Sequence, residues 1–467
     1  MDGEAANANP FLRGNFAPLR SEDDFELAIE GSLPTWLSGT FYRIGPNPQF
    51  EPRDRGYHWF GGDGMIHAFA LGGSGAPVRY RNRYVRTPKW ETEHAAGRSM
   101  YGSMGNPMST DPSVMGTDTG VANTNIMLHA GRLLALEEGH APFEVTAGSL
   151  ETVGYRPFGG KVTAHPKVDP ATGEMVFIAY ADGPMPLSAQ VSWGMTDAAG
   201  ELVRRETFVA PYCSMIHDFA LTGRYLAIPV MPLTGDLQRA MGGRPPFAWE
   251  PEKPALLAII DRTRGVESLV WAQAPLGYVF HVTNARDQGD EIVIDLMRYP
   301  QAPFFPLADG SPGRETGAVS VRWRVDPTRP DPVVSETVMD DLAGEFPRFD
   351  ERRALTAHRH AWFSGQAARP GDIRGDCLAH LDLETGRRSS WTEAGVGGVG
   401  EPVFVPARAD APEGEGVIIT LLHRRDADVG ELAVFDALDI AAGPRARARA
   451  RLPRRVPFGF HANWVAA

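Results

Sequence analysis

Short apolar runs closed by Gly-, Pro- or Asp-containing turns recur from one end of this chain to the other, and little else fits between them. Lys161–His165 leads through Asp169-Pro-Ala-Thr-Gly173 into Met175–Tyr180, and Phe219–Leu221 turns at Thr222-Gly223 into Tyr225–Val230. Phe280–Asn284 turns around Asp287–Asp290 into Glu291–Met297, Cys377–Leu383 meets Glu384-Thr385-Gly386, and Leu432–Phe435 is one more strand. Runs of this kind bounded by turn residues are the hairpin signal. Long apolar stripes of period 3.6 are missing, so only Asp24–Glu30 and Gly235–Met241 are expected as short helices. The 51 glycines and 39 prolines are spread along the chain, so they read as turns and not as one disordered tract. The expected class is all-β: a sandwich, a barrel or a propeller. A length of 467 residues suits a propeller, whose blades take about 40–50 residues each, although no WD-type repeat marks them.

Composition narrows the function. Hydrophobic residues make up 43% and charged residues 22%, enough to bury a large core. A net charge of -12 argues against a nucleic-acid partner, which needs a basic face. Cys213 and Cys377 are too few for a disulfide scaffold or a Cys-rich zinc site, and fit reduced thiols in a cytoplasmic enzyme. The N-terminal MDGEAANANPFLRG has no basic segment followed by an apolar one, so a signal peptide is not expected, and no apolar run is long enough to span a bilayer.

Several motifs carry less than their strings suggest. Gly395-Val-Gly-Gly-Val-Gly400 matches a dinucleotide fingerprint but runs into Glu401-Pro402 and a strand-like Val403–Val405, where the phosphate site needs a helix N-terminus; it reads as a loop. His358 and His360 read as a structural pair on one face of a strand. The alternating Arg and Ala of Arg445–Arg455 reads as a strand whose charged solvent face discourages edge pairing.

Four other histidines stand beside strand-like sequence: Thr163-Ala-His165-Pro, Met215-Ile-His217-Asp-Phe, Val279-Phe-His281-Val and Gly459-Phe-His461-Ala. They lie too far apart for a helical or finger-type metal motif. In a propeller, inner strands of successive blades line one axis and let such residues converge, but spacing alone does not establish that.

The stretches Leu37-Ser-Gly-Thr-Phe-Tyr-Arg-Ile-Gly-Pro-Asn-Pro48 and His58-Trp-Phe-Gly-Gly-Asp-Gly-Met-Ile-His67 resemble the N-terminal signature of the carotenoid cleavage oxygenases. The resemblance runs on in order through Thr163-Ala-His-Pro-Lys-Val-Asp169, His217-Asp-Phe, Phe280-His281, Glu345-Phe-Pro-Arg348 and Glu401-Pro-Val-Phe404 to Gly459-Phe-His461. It implies a single domain over residues 1–467: a seven-bladed β-propeller with a cap of loops and short helices over the metal-binding face. It also implies Fe(II) held by His165, His217, His281 and His461. Matching motifs place three glutamates around the ligands at Glu138, Glu345 and Glu401, where a carboxylate accepting from the outer N–H of a ligand imidazole fixes its tautomer and aim. Thr124 matches a position whose side chain crowds one of the two coordination sites left open on an octahedral ion.

The implied chemistry is oxidative scission of an alkene, in which O2 adds across a C=C bond that breaks into two carbonyl products. The protein mainly positions the double bond and excludes water. The bacterial branch, near lignostilbene dioxygenases and isoeugenol monooxygenase, resembles this chain around Trp90–Pro112, but the tyrosine and lysine that engage a phenol there are replaced by Met104 and Glu137. That departure favours a longer apolar polyene, an apocarotenoid or carotenoid, over a stilbenoid or phenylpropene. A non-oxidative polyene isomerohydrolase on the same scaffold is a further alternative. Phe60, Met104, Phe304 and Phe305 are expected in an apolar tunnel. Pro300–Leu307 reads as a buried loop or as a tunnel mouth that touches a membrane from outside. Oligomeric state is not legible.

Overall fold

The computed structural model describes residues 9–73, 76–104, 106–368, 375–441 and 446–467. Residues 1–8, Gly105 and Arg445, which enter the readings of the N-terminus, of 90–112 and of the Arg/Ala run, lie outside these. The fold is the seven-bladed β-propeller expected from the sequence, with seven sheets of four to six strands and one two-stranded ribbon.

The local reasons are legible strand by strand. Val78–Tyr84 (VRYRNRY) alternates buried with more exposed positions, the period-two pattern of a strand with one face on the core. Met175–Ala179 is buried throughout, as a strand covered on both faces must be. The turn between Tyr278–Gln288 and Glu291–Tyr299 places Gly289 at φ +62°, a left-handed conformation that glycine adopts without a Cβ clash.

The chain divides into two compact units, each interleaved in sequence with the other: Met1–Val162 with Ile419–Phe435 and Ala446–Ala467, and Thr163–Ile418 with Asp436–Arg445. Two of the divisions fall inside strands, Gly416–Arg424 and Val429–Asp436. In the first unit, one sheet takes Asp24–Leu27, Val78–Tyr84, Gly64–Gly72, Ser38–Pro46 and Ala462–Ala466 in that spatial order, so the C-terminal strand lies against an N-terminal one. A second sheet runs from Asn125–His129 to Thr152–Tyr155, and the two sheets share a core of Tyr42, Ile44, Ile66, Ile126, Leu133 and Phe143. The second unit holds four four-stranded sheets, opening on the edge strands Lys167–Val168, Ala220–Leu221, Tyr278–Gln288 and Gly344–Phe349. Val176, Ile178, Trp193, Phe219, Ile228 and Ile260 form its largest described core.

Four expectations are corrected. Asp24–Glu30 is not a helix but two strands, Asp24–Leu27 paired with Val78–Tyr84 and Ile29–Gly31 paired with Ala448–Arg451. Cross-strand ion pairs of Asp24 with Arg79 and Arg81 help fix the first, so pairing overrides the local pattern. A helix not foreseen runs over Pro88–Ala96, with Thr87 capping the Trp90 amide, Pro88 in the first turn and Gly97 left-handed at its end. Its Lys89 is half-buried between Asp63 and Glu93, at 2.7 Å from each. The Gly395–Gly400 string is not a loop: Val396–Val399 is a strand, with no helix behind it. Ala448–Arg451 has no free edge, because it pairs with Ile29–Gly31 on one side and Val429–Asp436 on the other, and Arg449 is buried at 3.5 Å from the fully buried Glu431. The expected helix near 235–241 is present as Leu237–Met241.

Candidate metal centre

Three of the four histidines belong to the second unit. His165 stands two residues before Lys167–Val168, His217 three before Ala220–Leu221, and His281 lies inside Tyr278–Gln288. Each therefore sits at an edge strand of a different sheet. Their rings form a close triangle, with centroids 4.6 Å apart for His165 and His217 and 5.1 Å for each of these with His281. His165 and His281 are buried and His217 is half-buried.

The backbone leaves its ladder where it delivers a ligand. In Tyr278–Gln288 the register with Glu291–Tyr299 shifts between Val279 and Val282, so Phe280 and His281 occupy a bulge. A second shift, between Glu345 and Arg348, takes Phe346 and Pro347 out of the ladder directly after Glu345, which still pairs with Ser364. Bulges re-aim side chains that a regular pleat would alternate between faces. Here they bring the Glu345 carboxylate onto His281 Nδ1, leaving Nε2 for another partner. Burial works against a charged His281 ring, but Glu345 outweighs it and holds the ring above the ordinary imidazole range. Glu345 Oε2 also accepts the Phe346 amide at 2.7 Å.

The fourth histidine, His461, is buried in the first unit, just before Ala462–Ala466. Backbone bonds hold it: its carbonyl accepts the Ile44 amide at 3.0 Å, and its amide donates to the Thr124 carbonyl at 3.2 Å. Phe460 donates to the Ile44 carbonyl at 3.0 Å. A Cβ at Gly459 would lie 2.3 Å from the Arg43 guanidinium, which is buried and donates to the Pro457 carbonyl at 2.7 Å, so the Arg43 side chain would have to shift.

Ligand atoms from His165, His217, His281 and His461 lie within 4.8 Å of one another, the one group of this kind among the described residues. The donor set fits a metal ion. His165 Nε2 and His217 Nε2 face each other at 3.0 Å, close to the ~3.0 Å expected of two imidazole ligands at right angles with bonds near 2.1 Å. Neutral imidazoles suit a borderline divalent ion.

The chain is matched over residues 16–466 by the model of the retinal pigment epithelial membrane protein family, to which the carotenoid cleavage oxygenases belong. The chain belongs to that family. It is 35% identical to a lignostilbene-alpha,beta-dioxygenase isozyme III of Sphingomonas paucimobilis, over 98% of this chain and 97% of the relative. It is also 35% identical to an isoeugenol monooxygenase of Pseudomonas putida, covering 98% of each. Its structure is similar to the crystal structure of a Pseudomonas brassicacearum lignostilbene dioxygenase, with a TM-score of 0.92, 34% identity and coverage of 98% and 99%. The chain is an enzyme of this oxygenase family.

The other expected residues are less uniformly placed. Thr124 is half-buried beside His461, its hydroxyl donating to Asn123 Oδ1 at 2.9 Å. Glu401 is buried 3.4 Å from the Arg348 guanidinium, and its charge also acts on His281. Glu138 is half-buried just past Arg132–Leu136. Glu137 accepts the Val121 amide at 3.0 Å and pairs with His140 at 2.7 Å. Phe60 packs on Phe460 with centroids 5.6 Å apart. Met104, expected in an apolar tunnel, is instead exposed at 37%, next to Ser103, whose amide and hydroxyl are held by Asp54. Phe305 is buried and Phe304 half-buried. His358 and His360 lie outside the four-histidine group, bonded towards Asn284 and His380.

Sequence reasoning missed several neighbours. Phe280 meets the His217 ring edge to face at 5.1 Å and lies 6.5 Å from Phe304, while Phe346 covers His281 at 5.4 Å. Phe304 and Phe346 both hold positive φ, at +67° and +57°, an uncommon conformation for a bulky residue and one that collects at functional sites. The signal was present, since Phe280 and Phe346 fall inside the family motifs, but strings do not say which ring faces the metal.

Proposed function

We propose that this protein is a non-haem Fe(II) dioxygenase that cleaves the ring-conjugated C=C bond of a stilbenoid or phenylpropene into two carbonyl products. The observation that carries this is the convergence of His165, His217, His281 and His461, with two ring nitrogens at the separation of neighbouring ligands. An Fe(II) ion held by these four histidines would supply the activation that O2 needs to react with a C=C bond. The protein's own residues do the rest. Glu345, Glu138 and Glu401 orient ligand imidazoles and set their basicity, with Glu345 already on the outer nitrogen of His281. Thr124, bonded through its carbonyl to His461, narrows the open coordination positions. Phe280, Phe304 and Phe346 give an apolar surround that receives a conjugated substrate and keeps water from the reacting bond. In this reading residues 1–467 act as one domain.

The substrate assignment follows the relatives, which are named for lignostilbene and isoeugenol and match along almost the full length. Glu137 favours a second reading, cleavage of an apocarotenoid or carotenoid. A carboxylate already paired with His140 is poorly suited to stabilise a phenolate.

The deciding experiment is O2 uptake by the Fe(II)-loaded enzyme against hydroxystilbenes, isoeugenol and apocarotenals, with product masses recorded. Stoichiometric uptake with a stilbene or isoeugenol, giving two carbonyl fragments, is the expected result. Turnover of apocarotenals alone transfers the assignment to the second reading. Product formed under strict anaerobiosis overturns the oxygenase reading in favour of an isomerohydrolase.

A further inference from the structure

The three histidines of the second unit are delivered by separate sheets, and one carboxylate touches the segments of all three. Asp218 directly follows His217 and is 2% exposed. Its Oδ2 accepts the amide of Val282, the residue after His281, at 2.8 Å. Its Oδ1 accepts the Phe219 amide at 2.7 Å, on the far side of its own residue from His217. Lys167, two residues after His165, brings its ammonium to 2.8 Å from Oδ1 and 3.0 Å from Oδ2. The Val282 amide stands at the bulge that turns His281 out of its ladder, so Asp218 satisfies a donor at the point where the strand's register breaks.

We infer that Asp218 is a positioning residue for the metal centre, locking the segments of His165, His217 and His281 in mutual register. The inference rests on the four-histidine reading of the centre. Two weaker ties run alongside: Thr163 Oγ1 donates to the His217 carbonyl at 2.9 Å, and the Tyr278 hydroxyl donates to the Met215 carbonyl at 3.2 Å. Each joins two segments, whereas Asp218 joins three. Its side chain is short and nearly inaccessible, so its oxygens have little freedom to follow if one segment drifts. Lys167 is the exposed half of the lock: its side chain is 25% exposed against 1% for Asp218. Loss of the ammonium leaves the two amide bonds in place and loosens only the His165 segment.

The test compares wild type, Asp218→Asn and Lys167→Met, each stripped of metal and reloaded with Co(II). The visible ligand-field absorption reports the arrangement of the donors, and transfer of Co(II) to a chelator reports how firmly they hold it. Thermal unfolding of the metal-free proteins is measured alongside. Asp218→Asn keeps the side-chain shape but removes the charge facing Lys167 and one of the acceptor oxygens. It is expected to release Co(II) about tenfold faster with an altered absorption band, the scale seen when groups that orient ligands are lost. Lys167→Met is expected to show the same shift at a few-fold, and the double variant to be no worse than Asp218→Asn. Unchanged spectra and release rates in both variants, even with a lowered unfolding temperature, overturn the inference and leave Asp218 a packing element. If Asp218→Asn does not fold, Lys167→Met decides on the same two readouts. A wild type that takes up no Co(II) sinks the four-histidine reading itself, a separate outcome.

Discussion

His281 and His461 contribute the same imidazole but are held by different physics. Around His281 the control is exerted by side chains: Glu345 on its ring, Asp218 on the next amide, and a bulge that frees the residue from its ladder. Around His461 the backbone is engaged closely as well, through bonds to Ile44 and Thr124 and through the close approach of Gly45 to Gly459. A side-chain lock can be tuned one residue at a time, and a backbone lock tolerates almost no added volume. The two regions should therefore fail differently.

The largest effect treats both alike. His281→Ala and His461→Ala each remove a donor, and bound iron, measured by elemental analysis, is expected to fall below about a tenth of the wild-type content. Either variant retaining full iron removes that histidine from the centre. Next, Gly45→Ala places a Cβ 2.5 Å from the Gly459 Cα, a backbone obstacle, whereas the Cβ of Gly459→Ala meets the Arg43 guanidinium, the end of a flexible side chain. Overpacking of this sort costs about 1–3 kcal/mol. Denaturant unfolding should place Gly45→Ala nearer the upper end and Gly459→Ala nearer the lower. Equal costs would mean that Arg43 is as rigid as backbone.

Glu345→Gln sharpens the contrast from the other side. An amide still fills the site, but the charge on His281 is lost, so metal affinity is expected to drop about tenfold with little change in unfolding temperature. The smallest effect concerns folding alone. Burial pushes His380, stacked on Trp362 at 5.3 Å, down to about 4. An unfolded histidine titrates near 6.5, so between these values the unfolded state binds more protons. Stability of the metal-free protein should fall as pH drops from about 6.5 towards 4, and His380→Gln should flatten that slope.

Much of the fold was legible because hairpins are local. Tyr225–Val230 was read at its observed bounds, and the turn at Asp287–Asp290 carries Gly289 where left-handed backbone is needed. The helix over Pro88–Ala96 was legible in principle, from Thr87, Pro88 and Gly97, but its polar face hid it: Lys89 is paired with Asp63, which lies outside the helix. Asp24–Leu27 was misread as helical, and the charged face of the correctly read strand Ala448–Arg451 as solvent-facing, for a related reason. Strand partners and buried counter-charges decide such segments, and neither is visible in the segment itself.

For the site, the sequence by itself determined which histidines to examine, through motifs that recur in order along the whole chain, and it determined the β class through period-two alternation and turn chemistry. Only the tertiary structure decided that the four imidazoles meet, that Glu345 reaches His281, and that Met104 faces solvent. The reason is the range of the interactions. Alternation and turns are set by neighbours a few residues away, whereas the bond from the Val282 amide to Asp218 joins positions 64 residues apart and exists only once separate sheets have packed.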